Sequence, residues 1–261
     1  MSTPTVPIVT KVAHTGADEL RFHGHKVFAE LLGCVSVGQM LMLGICGKLL
    51  DAAEISIFDD VVTVMSSADP RLWPFKVTRL ASSYGTIASG VAATLVSSVG
   101  GMYGANRLEA IARWFRNLAT ESRITDDAVL AAIDQDRPGF GVRYRARDER
   151  YDALVTCLRA QGHDRKPFIQ LCLRSVNLAR ERRALEPHVF MAIAALCLDL
   201  GLTDDAIAGV GAMLLFHASL ANACEGATQR PAILRELPRS SVSYVGQVHR
   251  MSERARAHCD R

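Results

Sequence analysis

The residues of this chain best suited to chemistry lie in Arg137-Pro138-Gly139-Phe140-Gly141-Val142-Arg143-Tyr144-Arg145-Ala146-Arg147-Asp148-Glu149-Arg150. Arg143, Arg145, Arg147 and Arg150 follow a Pro-Gly-Phe-Gly turn. Planar guanidinium forks suit carboxylates and phosphates. Gly139 and Gly141 are expected to make a mobile turn whose exposed amides approach a ligand closely. On spacing alone the segment reads either as an anion site or as a solvated cluster at a helix start. His188, one residue after Pro187, exchanges protons near neutral pH and reads either as a proton carrier or as a cap on a first helical turn. Tyr103 donates a hydrogen bond but is a poor general base, and it reads equally as a packed hydroxyl. Asp69 and Arg71 form either a helix cap with a surface pair or a substrate contact. His23-Gly24-His25 lacks a third ligand at suitable spacing, so no metal is expected. There is no G-x-G-x-x-G after a strand, G-x-x-x-x-G-K-[ST], H-E-x-x-H or G-x-S-x-G. Nucleotide-binding, zinc-protease and α/β-hydrolase readings therefore lose their leading evidence.

These side chains must be positioned by helices. Apolar residues recur at three- and four-residue intervals in Leu108, Ile111, Ala112, Phe115 and Leu118, the pattern of an amphipathic helix. Thr125 before Asp126 and Asp127, and Thr203 before Asp204 and Asp205, read as N-caps followed by acids that suit the helix dipole. Pro70, Pro74, Pro138, Pro167 and Pro187 are expected at or just before helix starts. About ten to twelve helices follow, hence an all-α fold. Strand candidates are confined to Pro7–Lys11 and Leu20–His25. Residues 26–106 and 206–224 are apolar and small, whereas 107–185 is charged and arginine-rich. This shift predicts a large helical domain over 1–106 and 201–261 with a small helical domain, 107–200, inserted in it.

With 261 residues, 49% apolar, 22% charged and 6% aromatic, the chain has the composition of a globular protein. Disordered, collagen-like and disulfide-scaffold classes are excluded. A net charge of +3 does not suggest nucleic acid as a partner. Arginine supplies 25 of the 30 basic residues, so their placement matters more than their sum. The seven cysteines form no CxxC and sit mostly among apolar residues, which predicts buried free thiols in a reducing compartment. No secretory signal is visible at the amino terminus, and the cytoplasm is the expected location. Leu31–Gly47 and Leu80–Asn106 carry no formal charge. The second is built of small residues with little insertion energy, so buried helices rather than membrane spans are expected.

Five landmarks in order resemble the citrate synthase and citryl-CoA lyase superfamily, over roughly residues 20–250. Phe22-His23-Gly24-His25 with Glu30-Leu31-Leu32-Gly33 resembles that family's Arg-Gly-Tyr and Glu-Leu-Ile-Gly segment. Ser98-Val99-Gly100-Gly101-Met102-Tyr103-Gly104-Ala105-Asn106 is similar to its Gly-Pro-Leu-His-Gly-Gly-Ala-Asn stretch. Gly139-Phe140-Gly141 to Asp148-Glu149-Arg150 is similar to its Gly-Phe-Gly-His-Arg to Asp-Pro-Arg loop. Glu186-Pro187-His188-Val189-Phe190 resembles its Pro-Asn-Val-Asp segment. Pro238-Arg239 with Tyr244-Val245-Gly246 resembles its closing Arg-Pro-Arg and Tyr-x-Gly. The resemblance implies a homodimer or larger assembly whose large and small helical domains close over a CoA thioester and a carboxylic acid. It implies carbon–carbon bond formation or cleavage by two histidines and an aspartate, with arginines binding carboxylates and CoA phosphates.

The proton-transfer positions are where this chain departs from the family. Tyr103 stands where the resemblance implies one histidine, Val142 or a deletion where it implies the other, and Phe190 where it implies the aspartate. Arg150 and Arg239 match substrate-binding arginines, with Arg71 a third substrate contact. Arg143, Arg145, Arg147, Gly139 and Gly141 correspond to the CoA-binding loop. Ordinary citrate synthase chemistry is therefore not expected. One reading is an enzyme using Tyr103 to polarise a carbonyl, Arg150 to anchor a carboxylate and His188 to carry the proton, with an acyl-CoA or carboxylic acid as substrate and no permanently bound cofactor. The other is a non-catalytic scaffold or regulatory subunit.

Overall fold

Reciprocal capping starts the first two long helices. Ser36 accepts from Gln39 N–H while the Gln39 side chain accepts from Ser36 N–H, opening α1 (Val37–Cys46). Asp51 and Glu54 repeat this exchange at α2 (Ala52–Val64). Pro74 occupies the first turn of α3 (Trp73–Tyr84), and Thr86 caps α4 (Ile87–Ser97). The computed structural model describes residues 8–98, 105–121, 123–142, 145–229, 238–247 and 252. Its remaining helices are α5 (Ala105–Ala119), α6 (Asp126–Asp136), α7 (Glu149–Ala160), α8 (Pro167–Arg183), α9 (Phe190–Asp199), α10 (Asp204–Met213) and α11 (Phe216–Thr228). The all-α expectation holds. Thr125 and Thr203 cap α6 and α10 through Ala128 N–H and Ala206 N–H.

One small antiparallel sheet precedes the helices: β1 (Ala13–Thr15), β2 (Leu20–Phe22) and β3 (His25–Lys26), in that order. The Leu20–His25 candidate is a strand over its first half. Pro7–Lys11 is not one among the described residues, where pairing begins only at Ala13. Pro138 also departs from expectation. It follows α6, whose C-cap Arg137 is in the left-handed region (φ 47°), and among the described residues no helix restarts before Glu149.

The core is centred on α9, whose residues Phe190 to Leu198 are all buried. α5 lays Leu108, Ile111, Ala112, Phe115 and Leu118 against it and against α10, as the period predicted. α8 and α7 cover its other sides. α3, α4 and α11 pack as a group. A Cβ at Gly90 would meet Ser82 Cβ and Thr78 O at 2.9 Å, and Ala223 Cβ at 3.0 Å. The small residues of α4 thus serve close approach within the chain. Arg79 crosses from α3 to α11, donating to Asn222 and in bidentate fashion to Glu225. The free cysteines differ from expectation: Cys172 and Cys197 are buried, Cys46 and Cys157 half-buried, and Cys34 and Cys224 exposed. Cys259 lies outside the described residues. One helical run among them, Asp204–Thr228, is long and apolar enough to cross a membrane, and 44% of its apolar window is buried in the protein.

Candidate active site

The Gly-Phe-Gly turn is pinned by backbone. Phe140 pairs with Pro187 in an antiparallel bridge. Gly141 N–H donates to Glu186 O at 2.8 Å, and His188 N–H donates to Gly139 O at 2.7 Å. Gly139 (φ 75°) and Gly141 (φ 92°) both occupy the left-handed region that glycine tolerates. A Cβ at Gly139 would also come within 2.5 Å of Met191 Sδ. The expectation of ligand-facing amides is corrected here: those of Phe140 and Gly141 are spent on Arg137 O and Glu186 O. The turn instead fixes the start of α9 against the approach to α7.

Asp148 is the second fastening. Its side chain, 2% exposed, accepts from Arg150 Nε at 2.7 Å, from Arg150 Nη2 at 2.9 Å and from Val189 N–H at 2.9 Å. It therefore caps α7 through Arg150 N–H and ties that helix to the start of α9. Burial alone would raise its carboxyl. The Arg150 bonds and charge and the Val189 N–H carry it below the ordinary carboxylate value.

His188 sits beside this pair. Phe190 N–H donates to its Nδ1 at 3.2 Å, and Arg150 Nη2 lies 3.3 Å from its Nε2. The Asp148 carboxylate is farther, at 3.9 Å. With N–H donors facing both ring nitrogens, a second proton on the imidazole finds no close acceptor. Burial, then the charges of Arg107 and Arg150, push its pKa far below the usual histidine value. His188 is thus a neutral imidazole at pH 7, and it both caps the first turn of α9 and faces a cavity.

That cavity holds about 530 Å³ and gathers residues distant in sequence. Asp69 and Arg71 come from the approach to α3, Arg107 from α5, Gly141, Val142 and Arg145 from the turn and the segment after it, and His188 and Phe190 from the start of α9. Four arginines face two carboxylates there. Arg71 forks onto Asp69 (2.6 to 3.1 Å), whose carboxyl it holds down to about 2. Arg145 pairs with the exposed Glu149. Arg71, Arg145, Arg150, His188 and Gly141 are therefore brought together. Gly139 lies behind the turn in a neighbouring surface pocket. Arg147 is turned onto Asp152 at 2.7 Å, and Arg239 sits exposed on the turn Arg239–Ser241, so neither lines the cavity. Tyr103 and Arg143 fall outside the described residues.

Sequence reasoning missed Arg107 and the buried Asp148. Arg107 follows the Gly104-Ala105-Asn106 landmark at a helix start, which is a usable signal. Asp148 opens the Asp-Glu-Arg landmark, but nothing local marks it as buried, since its burial depends on α9 arriving beside it. Arg180 bridges Asp152 and Glu186 and covers the Tyr151 ring, tying α7 to the segment ahead of α9.

No protein-family model and no curated protein matches this chain. Solved structures do match. The citryl-CoA lyase of Hydrogenobacter thermophilus superposes with a TM-score of 0.81 at 20% identity, covering 96% of this chain and 99% of that one. The fold is citrate synthase-like. The ATP citrate lyase of Methanothrix soehngenii, solved with citrate and coenzyme A, matches with a TM-score of 0.73 at 17% identity. That match covers 98% of this chain but 43% of the longer one. The citrate synthase of Thermotoga maritima MSB8 gives 0.64 at 15% identity over 84% of this chain and 60% of its own. At these identities the likeness is one of fold. Val142 and Phe190 both line the cavity.

Proposed function

We propose that this chain binds a CoA thioester, a carboxylic acid or both in the 530 Å³ cavity and forms or breaks a carbon–carbon bond there, or performs a related cyclisation or decarboxylation, with non-standard residues. The observation that carries this reading is the convergence of Arg71, Arg107, Arg145 and Arg150 with His188 on one cavity. Arg150, held by Asp148, stabilises negative charge developing on a carbonyl or enolate oxygen, where preorganised donors are worth the most. His188 is the proton carrier. Burial and the charges of Arg107 and Arg150 keep it neutral. An anionic ligand beside those guanidiniums offsets their repulsion and raises the basicity of the ring. Tyr103 as a neutral donor to a carbonyl, Arg239 closing the site, and Arg143 and Arg147 on CoA phosphates belong to the same proposal. So do the division into 1–106 with 201–261 and 107–200, and a cytoplasmic location, which the free cysteines support.

A second reading, a non-catalytic scaffold or regulatory subunit, is favoured by one observation: the cavity wall carries valine and phenylalanine at Val142 and Phe190. Thermal-shift titration with CoA, acetyl-CoA, and di- and tricarboxylates separates ligand binding from its absence. A ligand at a hundredfold excess over Kd adds about 2.7 kcal/mol of stability. No shift with any of them removes the enzyme. With a turning-over substrate in hand, unchanged turnover in His188→Ala removes His188 as proton carrier, and a loss of about 10²-fold or more supports it.

A further inference from the structure

We propose that the ligand of this cavity carries an apolar acyl chain beside a single anionic group, rather than several carboxylates and hydroxyls. This rests on the binding reading above and narrows its substrate class. Met65, Leu72, Phe75, Val142, Phe190 and Leu215 line the space, from the residue after α2, the residue before α3 and its first turn, the residue after the Gly-Phe-Gly turn, the start of α9 and the residue before α11. Phe75, Phe190 and Met65 present faces fixed by packing, being 3%, 4% and 6% exposed. The charged and apolar parts meet at one ring: the His188 imidazole has Arg150 Nη2 at 3.3 Å and lies edge-to-face with Phe190, centroids 4.7 Å apart. A ligand anchored at Arg150 therefore runs onto Phe190.

The charge arithmetic points the same way. Arg150 commits Nε and Nη2 to Asp148, Arg71 is forked onto Asp69, and Arg145 pairs with Glu149. A tricarboxylate needs several such forks at once. Each ligand hydroxyl or carboxylate pressed unpaired against Phe75, Val142 or Phe190 costs on the order of tenfold in affinity. Each methylene placed there gains roughly fourfold.

Calorimetric titration of the full chain with butanoate, hexanoate, octanoate, citrate, CoA, acetyl-CoA and octanoyl-CoA tests this. Affinity is expected to rise roughly fourfold per methylene, with citrate weaker than octanoate. A trend among the free acids supports the inference; a trend confined to the thioesters keeps the apolar chain but overturns the single anionic group beside it. Val142→Asp, on the half-buried turn, should abolish the trend, and Phe190→Asp should do so if the variant folds by circular dichroism. Equal affinity across chain lengths, a trend untouched by Val142→Asp, or citrate binding tighter than octanoate overturns the inference and leaves the binding reading standing. No binding of any acid or thioester overturns both.

Discussion

Asp148 joins three parts of the site through one carboxylate, which takes the fork of Arg150 and the N–H of Val189 while excluded from water. Breaking a buried pair by removing one partner leaves the other charge uncompensated. Asp148→Asn should therefore lower stability at pH 7 by about 3 kcal/mol in urea unfolding. The pH dependence has a definite sign. The folded carboxyl titrates below its unfolded value of 3.8, so its contribution is full above about pH 4 and fades as pH falls through the folded value. Wild type and Asp148→Asn should converge below that range; a gap constant down to pH 3 would show that the carboxylate's charge plays no part. At this scale the sequence was half legible. The arginine cluster reads either as an anion site or as a solvated helix start, and Arg145 and Arg150 of that cluster line the cavity. But which arginines are already occupied depends on Asp148, Asp69 and Asp152, and pairing across folded elements leaves no mark in local spacing.

Helix positions were the most legible level, because Leu108, Ile111, Phe115 and Leu118 bury on one face at the period that predicted them. Caps at Thr125 and Thr203 were legible for the same reason: a hydroxyl reaching an N–H three residues on is a local event. The Gly-Phe-Gly turn was read as mobile and open because its anchor is main chain from residues 186 to 188, and backbone pairing has no side-chain signature. Gly139→Ala tests the anchor. The added Cβ meets Met191 Sδ at 2.5 Å on a backbone of φ 75°, combining overpacking with left-handed strain. A loss of about 3 kcal/mol is expected, accompanied by faster amide exchange at Gly141 and His188. Fast exchange at both in the wild type would count against a pinned turn.

For the whole molecule, the group formed by α3, α4 and α11 carries one of the exposed apolar surfaces among the described residues. Tyr84 is 82% and Val96 76% exposed there, with Phe216 and Leu220 exposed on α11. The family resemblance implies a homodimer, and we propose these residues as its contact. Light scattering should give twice the chain mass, and Val96→Glu with Tyr84→Glu should halve it while leaving the helical circular dichroism signal intact. A wild-type monomer at micromolar concentration would remove the dimer.

The backbone bridge between Gly139–Gly141 and Glu186–His188 has one further consequence, and it concerns evolvability. Its two ladder bonds are made by main chain, so they do not depend on what Val142 or Phe190 carries. Val142, half-buried, projects from a frame that its own identity does not maintain, whereas Phe190 is itself packed in the core. Mutational drift at residue 142 can therefore exchange one chemistry for another while the frame persists, which lets a lineage explore new substrates without first passing through an unfolded ancestor.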